Sequence, residues 1–249
     1  MIHFRGNRKN MADFVDSPSF IKDLNEMIKS TGAKVTEKDA KRPIYNYKEF
    51  RETGLTDYLK ENYSEELATK YLSWWNKTKS FNKKTNYWDL MSTCTIKGKK
   101  GILLVQTKSS ATDLLTLGLG RLQDLYPYKP DNENDLSIKQ AIAEANTGIS
   151  KQVSGIALTT LKCYQLSNRI ANAWWLANNG IPAVLLYKGE LNGQGPFYKY
   201  KKTFNSDKDW QDQFIAKAKL IGADTIIDKW IDTGSESFTV ISRSMEAKK

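Results

Sequence analysis

The segment Trp88–Ser109, WDLMSTCTIKGKKGILLVQTKS, constrains the fold of this chain more than any other. Two runs rich in β-branched and apolar residues flank Lys97 to Lys100 with its central Gly98, which is the pattern of a β-hairpin. With Gly98 and Lys99 at the tip, Ile96 pairs with Gly101. Carrying that register outward sets Asp89 opposite Lys108, with Gln106 two residues back on the face that Lys108 shares. A slip of one residue would send these side chains to opposite faces.

An acid, an amide and a lysine meeting at a strand end suit one kind of chemistry. Asp89, the Gln106 side-chain oxygen and the Thr107 carbonyl are hard oxygen donors of the kind that hold Mg²⁺, with Mn²⁺ as an alternative, and such an ion keeps several of its waters. One of those waters would be the nucleophile. Lys108 can orient it, help deprotonate it or neutralise charge growing on the phosphorane oxygens. The pattern therefore points to metal-assisted hydrolysis of a phosphodiester.

A helix downstream offers a second polar surface. Between Tyr164 and Asn179, Leu166, Ile170, Ala173, Trp174 and Ala177 form an apolar stripe, while Gln165, Asn168, Arg169 and Asn172 fall at i, i+3, i+4 and i+7 on another face. Amides with an arginine suit phosphate or base-edge contacts, and an ordinary solvated face is the other reading.

Taken with the apolar strand LLVQTK, AIAEAN at 141–146 and YQLSNRIANAWWLANNGIPAVLLYKG at 164–189, these residues resemble the PD-(D/E)XK nuclease superfamily, whose core hairpin carries an Asp followed by Glu-X-Lys. The resemblance falls on Asp89, Gln106 and Lys108, spans about residues 45–190, and is similar to a group of bacterial proteins of this fold. It implies an α/β protein with a three-layer α/β/α restriction-endonuclease-like core, a central mixed sheet and extra N-terminal helices. It also implies a Mg²⁺-dependent endodeoxyribonuclease in a restriction or defence setting. The departure is Gln106, since an amide oxygen brings no charge to a metal. Mrr-like nucleases are similar in using Gln-X-Lys, and an inactivating substitution is the other reading. The resemblance offers Glu144 as a replacement carboxylate, with Glu49 as a weaker one and a solvated surface glutamate as the alternative. It sets Gln165 at the border of the active site, as in the RecB-like branch, with Arg169 standing where that branch has Tyr.

Charge agrees with a nucleic-acid partner. Lys and Arg number 38 against 28 acids, a net +10, so the summed field attracts polyanions. Lys77, Lys79, Lys83, Lys84, Lys97, Lys99 and Lys100 surround the hairpin, interleaved with Trp74, Trp75, Phe81, Tyr87 and Trp88. Lys97, Lys99 and Lys100 at the tip are candidate substrate contacts, and the aromatics either stack on bases or belong to the core. DNA is the expected partner, RNA stays open, and cutting both strands of a duplex would call for two centres and so a homodimer. A catalytically silent nucleic-acid-binding module and a protein-interaction subunit are the rival readings.

Other chemistries fail on residue counts. The only histidine is His3, which leaves no Ser-His-Asp or Cys-His site. Cys94 and Cys163 lie in apolar patterns without zinc-ligand spacing, and no Gly-rich loop ends in Gly-Lys-Ser/Thr. With no run of about eighteen apolar residues and no signal-like start, the expectation is a protein with no membrane partner, residing in the cytoplasm.

The 249 residues divide into an N-terminal helical extension, 1–44, and a nuclease-like α/β domain, 45–249. A helix opens at Ser17-Pro18, 31–43 reads as a linker, and helical patterns fill 46–60, 64–76 and 110–123. The loop at 127–135 is a candidate substrate-facing flap. A helix follows from an N-cap at Ser137 to Asn146, then strands at Ile181–Tyr187 and Ser237–Ile241, with a helix at Trp210–Leu220 between them.

Overall fold

The computed structural model describes residues 7–37, 40–41, 54–76, 86–114, 133–193 and 203–248. The chain opens with α1 (Asn7–Asp16) and α2 (Phe20–Ile28), then two short strands, β1 (Ala33–Lys34) and β2 (Ala40–Lys41). Helices α3 (Leu55–Asn62) and α4 (Glu65–Trp75) precede the hairpin strands β3 (Leu90–Ile96) and β4 (Lys99–Lys108). A single turn, α5 (Ala111–Leu114), and the long helices α6 (Glu133–Ser150) and α7 (Tyr164–Asn178) lead to β5 (Ala183–Leu191). Helix α8 (Asp207–Lys219), β6 (Trp230–Asp232) and β7 (Ser237–Glu246) complete the order.

The fold is mixed α/β around one mixed sheet, ordered β1-β3-β4-β5-β7-β6, with β2 also paired to β3. The β3–β4 and β6–β7 pairs are antiparallel, and the central β4–β5 and β5–β7 pairs are parallel. Successive side chains on these strands point to opposite faces. Ile102, Leu104, Ala183, Leu185, Phe238 and Val240 pack into one apolar cluster with helices α3, α4, α6, α7 and α8. Leu103, Val105, Val184, Leu186 and Ile241 pack into a second cluster with Met11, Phe14 and Val15 of α1 and Phe20, Leu24, Met27 and Ile28 of α2. The N-terminal segment therefore covers one face of the sheet. The stretch read as a linker contributes β1 and β2, which extend the sheet beyond β3.

Helix starts follow their capping residues. Ser64 accepts a hydrogen bond from the Leu67 N–H, and Ser206 accepts one from the Asp209 N–H, so each helix begins where a hydroxyl satisfies a free donor. Helix α6 corrects the sequence reading: it starts at Glu133, four residues before Ser137, which is buried within it and is not its cap. Helices α6 and α7 meet closely at Gly148, where a Cβ would lie 2.5 Å from the Trp174 ring.

The hairpin is present with a register two residues away from the predicted one. Ile96 pairs with Lys99 and Leu90 with Val105, so Lys97 and Gly98 form the turn. Both have positive φ, 50° and 81°, the two-residue geometry whose twist matches that of the strands. Extending this register sets Asp89 opposite Gln106 and not opposite Lys108. Because the side-chain period is two, the shift leaves Asp89, Gln106 and Lys108 on one face.

Away from that face, Lys188 and Glu190 of β5 form an ion pair with side-chain exposures of 0% and 1%. The Lys188 ammonium lies 4.4 Å from the centre of the Phe14 ring, and burial pushes its pKa below the usual lysine value. The second Glu190 oxygen, Oε2, is buried without a hydrogen-bond partner.

Candidate functional site

Three of the predicted residues meet where the hairpin strands end. Asp89, half-buried just before β3, receives two donors on Oδ2: the Gln106 side-chain N–H₂ and, at 2.6 Å, the Thr107 backbone N–H. Lys108, two residues along β4, donates to the Gln165 side-chain oxygen on the first turn of α7. Gln165 in turn donates through Nε2 to Gln106 Oε1 at 3.4 Å, a distance at the long end for a hydrogen bond. Two glutamine amides thus relay donors from the Lys108 cation to the Asp89 anion.

The polar stripe of α7 turns inward onto this relay. Arg169, 7% exposed, donates through Nε to Gln106 Oε1 at 2.8 Å and through Nη2 to the Tyr87 carbonyl at 2.7 Å. Its guanidinium also lies 4.2 Å from the centre of the Trp88 ring, a cation–π contact. Burial pushes the Arg169 pKa down, with Tyr187 and Asp89 among the groups that oppose the shift, and a guanidinium stays charged throughout the working range. Asn168 and Asn172 lie on the same face at exposures of 5% and 0%, so the stripe is not a solvated surface.

One residue that the sequence reading passed over organises the network. The Asn86 side chain donates to Tyr71 Oη at 2.8 Å and to Asn172 Oδ1 at 3.2 Å, and accepts from Asn168 at 3.0 Å and from Arg169 at 3.3 Å. Its backbone carbonyl accepts from the Leu55 N–H at 2.8 Å, which ties the start of the hairpin to α3. In the sequence it sits in the polar run FNKKTNYW, where an asparagine reads as loop. Tyr187, opposite Gln106 across the β4–β5 ladder, also went unnoticed. Its hydroxyl is buried without a hydrogen-bond partner, and burial pushes its pKa up. The alternation Ala183, Leu185, Tyr187 on the core-facing side was the available signal.

The remaining candidates lie elsewhere. Lys97, Lys99 and Lys100 sit at the closed end of the hairpin, with Lys99 nine residues from Lys108 along β4, or about 30 Å at ~3.3 Å per residue. Lys99 pairs with Glu236, Lys100 donates to the Asn62 carbonyl beside the Tyr63 ring, and Lys97 lies over Trp230. Proximity in sequence misled here because a hairpin carries its tip away from its open end. Glu144 is exposed on α6 and accepts from Trp74 Nε1 at 3.0 Å, which engages it at the α4–α6 seam and not in the Asp89 relay. Trp74, Trp75 and Trp88 are buried, so they are core, whereas Tyr87 is 45% exposed. Glu49, Phe81, Lys77, Lys79, Lys83, Lys84 and most of the 127–135 flap lie outside the described residues.

In this arrangement the Gln106 oxygen does not stand beside Asp89 as a second metal ligand. Gln106 turns its nitrogen, not its oxygen, toward Asp89, and Thr107 offers Asp89 an N–H donor. Reversing the amide would set the Gln106 N–H₂ against the Arg169 Nε–H, donor against donor. Among the described residues no three Asp, Glu, His or Cys side chains converge, and no helix is long and apolar enough to cross a membrane. Comparison of the chain with models of known protein families, with curated proteins and with solved structures finds no match.

Proposed function

We propose that this chain is a nuclease-like domain directed at the phosphodiester backbone of DNA, one that binds its substrate while the hydrolytic step is held off. The observation that carries this reading is the convergence of Asp89, Gln106 and Lys108 with Gln165 of α7 at the open end of the hairpin. Support for a PD-(D/E)XK-like, three-layer arrangement comes from helices on both faces of a mixed sheet and from the Gln-X-Lys pair on its central strand β4.

The chain's own groups suit an anion. Two cations, Lys108 and Arg169, stand in the network that links Gln165 and Gln106 to Asp89. A phosphodiester, with a single negative charge, is the kind of anion such cations attract. Asp89 and Gln165 are the half-buried members through which a phosphate would reach Lys108. Hydrolysis is less well served: Asp89 Oδ2 already accepts two donors, and the Gln106 oxygen accepts from Arg169 and Gln165.

A second reading, a Mg²⁺-dependent endodeoxyribonuclease, is favoured by the same Asp-Gln-Lys set, whose spacing suits such an enzyme. Incubation of supercoiled plasmid with the purified chain in Mg²⁺, Mn²⁺ or EDTA separates the two. Retarded but uncut plasmid, with no rate difference between wild type and Lys108→Ala, is the expected result. Metal-dependent nicking that disappears in Lys108→Ala would establish the second reading instead.

A further inference from the structure

We infer that the centre takes an unpaired DNA strand in preference to an intact duplex, and that the Tyr87 ring is the surface on which a base beside the bound phosphate stacks. The inference rests on the proposed function and extends it to the class of substrate. Tyr87 is 45% exposed, and among the described residues it is the one aromatic in the set of exposed large apolar side chains, the others being Leu136, Leu161 and Leu220. A single exposed tyrosine is ordinary on a protein surface, but this one is mounted on a fixed backbone. Its carbonyl accepts from Arg169 Nη2 at 2.7 Å, the preceding Asn86 carbonyl accepts from the Leu55 N–H at 2.8 Å, and Gly54 pairs with Tyr87 in an antiparallel bridge. The next residue, Trp88, is buried, with its ring centre 4.2 Å from the same guanidinium. The chain therefore holds the Tyr87 ring out into solvent from a rigid mount, which lowers the entropy that a stacking partner would otherwise cost.

Second, the ring is coupled to the centre. The guanidinium that holds the Tyr87 carbonyl also holds Gln106 Oε1, and Asp89 lies two residues on, at most about 7 Å of chain away. A phosphate at the half-buried mouth would have this aromatic face within reach of a neighbouring base. Stacking of that kind needs a base that shows its face, and in a duplex each face is covered by the bases above and below it. Third, the cations are recessed, with Lys108 5% and Arg169 7% exposed. An unpaired strand can bend to lower one phosphate into such a recess, whereas a duplex, with a persistence length of about 150 bp, is stiff.

Fluorescence anisotropy at fixed salt tests the inference with three labelled probes of equal length: an unpaired DNA strand, the same strand paired into a duplex, and a strand of abasic residues. The proteins are wild type, Tyr87→Ala and Tyr87→Trp, with folding checked by circular dichroism. Wild type is expected to bind the unpaired strand about 10-fold more tightly than the duplex. Tyr87→Ala should lose that margin while keeping its affinity for the duplex, and Tyr87→Trp should retain it. The abasic strand should bind wild type no more tightly than the unpaired strand binds Tyr87→Ala. Equal affinity of wild type for strand and duplex, or a loss in Tyr87→Ala that is the same for both, would overturn the inference and leave the proposed function standing. Absence of binding to every probe would overturn both. If Tyr87→Ala does not fold, the abasic strand still decides on wild type, since full affinity without bases would overturn the inference.

Discussion

Gln106→Glu is expected to turn a chain that binds plasmid without cutting it into one that nicks it in Mn²⁺, at a rate on the order of 100-fold above wild type. In the native centre the Gln106 amide satisfies both neighbours at once, giving Nε2 to Asp89 and Oε1 to Arg169. A carboxylate at this position keeps the Arg169 contact and strengthens it to an ion pair. Its other oxygen then stands beside Asp89 Oδ2, acceptor against acceptor, an arrangement that a divalent cation relieves. The substitution adds one negative charge to the centre, so the penalty on binding a cation falls. Plasmid nicking by the single variant, by the Gln106→Glu/Lys108→Ala double variant and by either one in EDTA reads this out. The rate gain should be lost in the double variant and in EDTA, and no gain in any metal would mean that Gln106 is not what withholds hydrolysis.

The largest loss of stability is expected on the opposite face of the sheet. Glu190→Ala removes the anion that pairs with fully buried Lys188 and leaves the ammonium facing the Phe14 ring. Breaking one side of a buried pair costs about 3–5 kcal/mol, because the remaining charge is uncompensated. For a chain of this length that corresponds to a fall in Tm of roughly 6–10 °C. The sign of the pH dependence follows from burial, which pushes the Lys188 pKa down. The unfolded chain then binds the proton more readily than the folded one, so stability rises with pH until both states are neutral. The deficit of Glu190→Ala relative to wild type should shrink as pH approaches about 10, near the unfolded lysine pKa. Lys188→Met/Glu190→Leu removes both charges and should lose little stability, whereas a double variant as unstable as the single would show that the loss comes from packing.

Much of this architecture was legible because it rests on period and chemistry. The hairpin, the amphipathic α7 and the buried strand β5 follow from apolar patterns that no other arrangement would satisfy. The set Asp89, Gln106 and Lys108 survived a register error, since a shift of two residues preserves the face. The short strands β1, β2 and β6, of two or three residues, carry too little pattern to be seen. Helix α1 was hidden by the charged start NRKN. The inward turn of Gln165, Asn168, Arg169 and Asn172 was invisible for a different reason: a polar stripe is read as wet unless its partners are known. Those partners, Gln106, Asn86 and Tyr71, come from three distant segments, so only the folded chain brings them together.

That buried network also explains why the centre is closed. Asn86, Asn168, Asn172 and Tyr71 lock α7 against α4 and the hairpin start, and Arg169 is held by that lock as much as by Gln106. A fully satisfied polar cluster is rigid because every member would lose a partner on moving. Lys108 and Gln165 are bonded at its edge, toward the half-buried mouth at Asp89.

Binding of a short labelled duplex in EDTA, measured by fluorescence anisotropy at several salt concentrations for wild type and Lys108→Ala, tests the central claim most directly. The account predicts affinity that falls as salt rises, and a Lys108→Ala variant that binds about 10-fold more weakly with a log–log salt slope smaller by about one. Salt-independent binding, or a Lys108→Ala variant indistinguishable from wild type, would contradict it.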